Sequence, residues 1–150
     1  MPRRELKSGK QVADWLAAVG SQLSAPGSMT IIGSAALLWH AQDRGLTAEL
    51  PEASMDVDSV TDSEEVALLC YEALIGSEFE RTHGWHVNMM PESVLQDLPA
   101  GWNQRATRKQ IEKLNLLVPS PADLLAPKLK RNEPRDRAHA DWAKRIGLLG

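Results

Sequence analysis

Apolar positions along the chain change their period several times, and each change marks an element. Within residues 9–19, Val12, Trp15, Leu16 and Val19, with Leu23 beyond, recur about every 3.6 residues, which predicts an amphipathic helix. Ser24-Ala25-Pro26-Gly27-Ser28 breaks it. Residues 29–32 form a short, partly β-branched apolar run, read as a buried strand. Gly33-Ser34 then turns the chain into a helix over residues 35–42, with Ala35, Leu38 and Trp39 apolar and Gly45 as a stop. A loop carrying Pro51 leads to a second strand, Met55-Asp56-Val57-Asp58-Ser59-Val60. Asp62-Ser63-Glu64-Glu65 has the form of a capping box and opens a helix with Val66, Leu69, Cys70 and Ala73 inward, ended by Gly76.

The second half reads less evenly. Residues 78–90 suggest a hairpin turning at Thr82-His83-Gly84, with an imperfectly alternating second strand from Trp85. Residues 91–98 suggest a short helix, Gly101-Trp102 a loop, and residues 105–111 and 114–118 two further strands. Ser120-Pro121-Ala122-Asp123 is a strong helix start, combining a hydroxyl cap, an early proline and an acid at the third position. That helix meets an irregularity at Pro127. Asn132-Glu133-Pro134 starts the last helix, which runs through Trp142 and Ile146. The order predicts an α+β fold: a small mixed β-sheet with helices packed on it. The expectation is one domain over 1–150, with an N-terminal helix in 1–24, a core of sheet and helices in 29–118 and C-terminal helices in 120–147.

Composition narrows the class without naming it. A chain of 150 residues, 43% hydrophobic and 25% charged, can bury a real core. A formal net charge of −3 gives no global basic field for nucleic acid. The single cysteine, Cys70, cannot form an intramolecular disulfide and fits a reducing compartment. No apolar stretch approaches the roughly 18 residues of a membrane span, and no apolar segment follows Arg3, Arg4 and Lys7 as in a secretory signal. The expectation is a cytoplasmic protein. Charge is segregated, with acids dominating from Glu49 to Glu80 and bases from Arg105 to Arg145. Facing each other across a cleft, the two would suit metal and phosphate; as solvated faces they would mean little.

The candidate chemistry lies between Gly33 and Asp58. Residues two apart on a strand share a face about 6.5–7 Å apart, so Asp56 and Asp58 project together. Like charges so placed destabilise a strand unless a cation sits between them, and Mg2+ favours one or two carboxylates plus phosphate oxygens. A Gly-Ser turn into a helix offers backbone N–H groups to an anion. Together these suggest nucleotide chemistry. The plainer readings are a charged strand edge for the acids, a helix cap for Ser34 and solvated positions for Lys128 and Arg131. Cys70 on its apolar stripe reads as a core residue. His83 and His86 read as a turn and a strand histidine rather than a metal pair.

Gly33-Ser34, a helix and then Asp56-Val57-Asp58 on a strand resemble the signature of the polymerase-β-like nucleotidyltransferase superfamily. With Asp123-Leu124-Leu125-Ala126-Pro127-Lys128-Leu129, Arg131, Arg135 and Asp136, the chain is similar to bacterial nucleotidyltransferase-like proteins of the abortive-infection, type IV toxin–antitoxin kind and their uncharacterised relatives. Gly101-Trp102 and Arg105 fit the same likeness, which covers residues 29–147. The resemblance implies Mg2+ with an NTP. It places the metal on Asp56 and Asp58, the phosphates on Gly33 and Ser34, and charge neutralisation on Lys128 with Arg131 or Arg135. Asp136 is a further acid of the site, and the acceptor is an RNA end such as tRNA or a protein hydroxyl. A toxin-like role and an antitoxin-like partner are also implied. Three features depart from the pattern: Glu52 and Ser54 replace an arginine and a threonine, the Gly33-to-Asp56 interval is long, and Asn88 falls where a third carboxylate is common. These departures suit a second reading, a catalytically degenerate fold that binds a nucleotide or a partner. A nucleic-acid-binding module built on Arg105 to Arg145 is a third, weighed against the acidic total.

Overall fold

The computed structural model describes residues 6–46, 49–51, 54 and 56–149. In chain order the helices are α1 (Gly9–Gln22), α2 (Gly33–Asp43), α3 (Glu64–Tyr71), α4 (Glu78–His83), α5 (Trp102–Arg105), α6 (Pro121–Arg131) and α7 (Pro134–Arg145). The strands are β1 (Gly27–Ile32), β2 (Asp56–Val60), β3 (His86–Met89), β4 (Thr107–Ile111) and β5 (Leu114–Val118), and a 3-10 helix spans Glu92–Asp97. They form a five-stranded mixed sheet in the order β3-β2-β1-β5-β4. β1 pairs antiparallel with β2 and parallel with β5, while β3 runs parallel to β2. The predicted α+β fold with a small mixed sheet is the fold observed.

One face of the sheet carries the core. Gly27, Met29 and Ile31 of β1 are buried, alternating with the more exposed Ser28, Thr30 and Ile32. Leu114, Leu116 and Val118 extend the buried face on β5. α1 and α2 pack together, burying Val12, Leu16, Val19, Leu37 and Leu38. Each such side chain stabilises the fold by about 1.5–3 kcal/mol on leaving water. Gly9 allows the close approach, since a Cβ there would meet the Leu38 carbonyl. Among the described residues, no helix is long and apolar enough to cross a membrane.

Several boundaries differ from expectation for identifiable reasons. Residues 78–83 are helical, so there is no hairpin. Ser77 Oγ caps the Glu80 N–H, Gly84 ends the turn at φ 81°, and Phe79 packs edge-on against Trp85. Only the segment after Gly84 joins the sheet. Gly101-Trp102 opens α5 instead of a loop, and β4 starts at Thr107 because Arg105 is drawn to Asp123. Ser63, one residue after Asp62, caps α3; Glu65 does not close a capping box but accepts from the Ser24 N–H at 2.9 Å. Pro127 interrupts nothing, and α6 continues to Arg131. Met55, placed at the start of the second strand, lies outside the described residues, as does Glu52.

Candidate active site

The site begins where β1 ends. Ile32 is registered against Asp58, so the next residue, Gly33, passes beneath the Asp58 carboxylate. Gly33 has φ 75°, and a Cβ there would lie 2.9 Å from Asp58 Oδ2. Both constraints demand glycine. Gly33→Ala is therefore expected to cost about 1–2 kcal/mol in backbone strain and to push Asp58 out of place. Thermal melting checks the first effect, and loss of metal-dependent ligand binding the second.

β2 carries the acids outward while Val57 between them is buried. Asn88 of β3 is registered against Asp58. Its Nδ2 donates to Asp56 Oδ2 at 2.9 Å and to Asp58 Oδ1 at 3.2 Å. One amide thus bridges two carboxylates. Burial, and then the neighbouring Asp56 charge, hold the Asp58 carboxyl above its usual range, against the opposing influence of Asn88 and Lys128.

That elevation has a consequence for stability. A proton bound more tightly in the folded state gives a contribution fully present below the ordinary carboxyl range and lost as pH rises through the elevated value. At neutral pH and without metal, the ionised pair is a cost. Asp58→Asn should raise the melting temperature by a few degrees at about pH 7.5, and the gain should shrink towards pH 4. Melting curves at the two pH values check this.

The opposite side comes from α6 and α7. Ser120 Oγ caps the Asp123 N–H. Asp123 in turn takes a bidentate pair from Arg105 Nε and Nη2, both at 2.9 Å, fixing the start of α6. Two turns on, Lys128 is buried, and its Nζ donates to Ser34 Oγ at 2.9 Å. Burial lowers its pKa; the nearby Asp136 and Asp58 charges oppose that shift. Asp136, also buried, receives Arg131 at 2.7 and 3.2 Å and lies 3.9 Å from Lys128 Nζ. Its carboxyl is held below the usual range, chiefly by the Arg131 hydrogen bonds. Asp136 is thus paired with Arg131 and close to Lys128.

Acids, turn and cations line one cavity of about 450 Å³, containing Gly33, Ser34, Asp56, Asp58, Lys128, Arg131, Arg135 and Asp136. All the candidate residues named from the sequence meet there. A protein-family model described as "nucleotidyltransferase of unknown function (DUF6036)" matches residues 10–145, a span that includes every one of them. The chain belongs to this nucleotidyltransferase family. No curated protein and no solved structure matches the chain.

For a nucleotidyltransferase, the donor set suits a hard divalent cation. Two carboxylates on one strand face line the same cavity, an arrangement such a cation favours. Asn88 adds a neutral side chain beside them, and among the described residues no group of three His, Cys, Asp or Glu forms a metal cluster. The histidines of the β3 region are engaged elsewhere. His83 packs on Phe79 with ring centroids 4.2 Å apart, and His86 Nδ1 lies 2.8 Å from Glu80 Oε2. Cys70 is fully buried beside Ser59, and burial pushes its thiol up.

Reading the sequence missed one residue. His139 of α7 is fully buried, with Nδ1 3.0 Å from Ser34 Oγ and 3.5 Å from Lys128 Nζ. Its spacing to Trp142 and Ala143, which puts it on the inward face of the last helix, was the available signal.

Proposed function

We propose that this protein is a metal-dependent nucleotidyltransferase that moves a nucleoside monophosphate from an NTP to an RNA end, such as that of tRNA, or to a protein hydroxyl. The supporting observation is the single cavity that joins the Asp56/Asp58 pair, the Gly33-Ser34 helix start and the Lys128–Arg131 cations. Asp56 and Asp58 would hold Mg2+, which when bound supplies neutralising charge to the phosphate oxygens. The start of α2 presents backbone N–H groups to the phosphates. Lys128, Arg131 and Arg135 offset the charge that grows on the departing pyrophosphate. The acceptor oxygen forms a bond to the α-phosphorus as the bond to pyrophosphate breaks. The acceptor's hydroxyl proton passes to a carboxylate of the site or to solvent as that bond forms.

The decisive experiment is incubation with Mg2+ and each α-labelled NTP, with bulk tRNA and a protein extract as acceptors. Label transfer that Asp56→Ala/Asp58→Ala abolishes supports this reading and names the donor. The toxin-like role and its antitoxin-like partner belong to the same reading, as does a cytoplasmic location, where NTPs are found. Growth arrest on expression, relieved in the double variant, tests the toxin-like role. A second reading, a degenerate fold that binds a nucleotide or a partner, is favoured by the neutral Asn88 beside the acids. It predicts an NTP-dependent rise in melting temperature with no transferred label.

A further inference from the structure

Three helices meet at one buried polar contact behind the cavity. Ser34 comes from the first turn of α2, Lys128 from α6 and His139 from α7. Lys128 has only donors, and its Nζ lies 2.9 Å from Ser34 Oγ and 3.5 Å from His139 Nδ1. Ser34 Oγ accepts from Lys128, so its own hydrogen is available for His139 Nδ1, 3.0 Å away. With Nδ1 as the acceptor, both neighbours present hydrogens to its lone pair. An imidazolium there would set two cations against each other in a site away from water.

The geometry points to His139 as a positioning residue that holds Lys128 and the Ser34 turn in place for phosphate binding. This inference rests on the phosphate-binding role proposed above for Lys128. Burial penalises the ammonium, and a flexible lysine stem would let it leave for water. Two acceptors, Ser34 Oγ and His139 Nδ1, compensate that cost beside Asp136. The same contact occupies the Ser34 hydroxyl and two of the three Lys128 donors, and both residues line the cavity. His139 has no place among the residues lining that cavity. It acts through Lys128 and Ser34.

The test compares His139→Leu and His139→Asn, alone and with Ser34→Ala. Asparagine sets an amide where Nδ1 stands, whereas leucine fills the space without an acceptor. The first readout needs no ligand: the rate at which an amine-acylating reagent modifies Lys128, followed by mass spectrometry. His139→Leu should accelerate it about tenfold, and His139→Asn should stay within about threefold of the original. The second readout is calorimetric binding of inorganic tripolyphosphate with Mg2+. His139→Leu should weaken it about tenfold, His139→Asn should largely restore it, and His139→Leu should add little further loss once Ser34→Ala is present.

Unchanged Lys128 reactivity in folded His139→Leu, or equal effects of leucine and asparagine, overturns the inference. Should His139→Leu fail to fold, His139→Gln replaces it. Glutamine reaches towards the position of Nε2, so behaviour equal to that of His139→Asn overturns the inference as well. Absence of tripolyphosphate binding by the unaltered protein would sink the phosphate-binding reading instead, and Lys128 reactivity would then decide the role of His139 alone.

Discussion

Asp56→Asn/Asp58→Asn is expected to lose label transfer by about a thousandfold or more while melting at the same temperature as the unaltered protein or higher. Both halves of this expectation come from one geometry. The carboxylates are held together on β2 with Val57 anchored in the core between them, and Asn88 bridges them with hydrogen bonds. Without a cation, the folded state bears their repulsion and the burial of Asp58. Asparagine removes the charge and keeps the shape, so the fold gains what the metal site loses. This opposition of stability and function is common at binding sites. Parallel melting and transfer assays check it. A double variant that melts well below the unaltered protein would mean that the pair is structural, and full transfer activity would remove it from the chemistry.

Lys128→Met is expected to lower transfer about a hundredfold while changing stability by no more than about 1 kcal/mol. Methionine is close to the lysine stem in length and leaves no charge to bury. Asp136 keeps its bidentate partner Arg131, so no carboxylate is stranded. Lys128→Arg should not rescue activity. The planar guanidinium is wider than an ammonium, and Ser34 Oγ and His139 Nδ1 stand only 2.9 and 3.5 Å from Nζ. If the arginine variant restores transfer, bulk positive charge is sufficient and the buried arrangement is incidental. The kinetics should divide accordingly: if Lys128 acts mainly on leaving pyrophosphate, kcat falls more than the apparent affinity for the NTP.

The elements that sequence reading placed correctly are those with a strong local rule. The helix over α1 follows from its apolar period, and Ser120-Pro121 with Asp123 marks the start of α6 through a cap whose partners lie within one turn. Residues 78–83 failed because their outcome depends on contacts. Ser77 and Gly84 supply helix boundaries, but it is the packing of Phe79 on Trp85 that gives so short a helix a reason to persist. Glu65 likewise has the spacing of a capping box, yet a turn some forty residues earlier in the chain offers its backbone N–H groups.

The same division runs through the site. Asp56 and Asp58 share a face because a strand alternates, and Gly33-Ser34 opens a helix because glycine permits the turn; both were legible in the sequence alone. Segregation of acids and bases along the chain was legible too, but not which of them would meet. Register made that choice. Pairing of Ile32 with Asp58 sets the acid over Gly33, pairing of Asp58 with Asn88 bridges the carboxylates, and the packing of α6 on α2 and of α7 on α6 carries Lys128 and His139 to Ser34. His139 shows the limit most clearly, since no local pattern distinguishes a buried histidine that packs from one that holds a lysine. Sequence determines the period of each element and the residues it offers. Which offered groups meet depends on burial and hydrogen bonding across distances that only the closed tertiary structure brings within 3 Å or so.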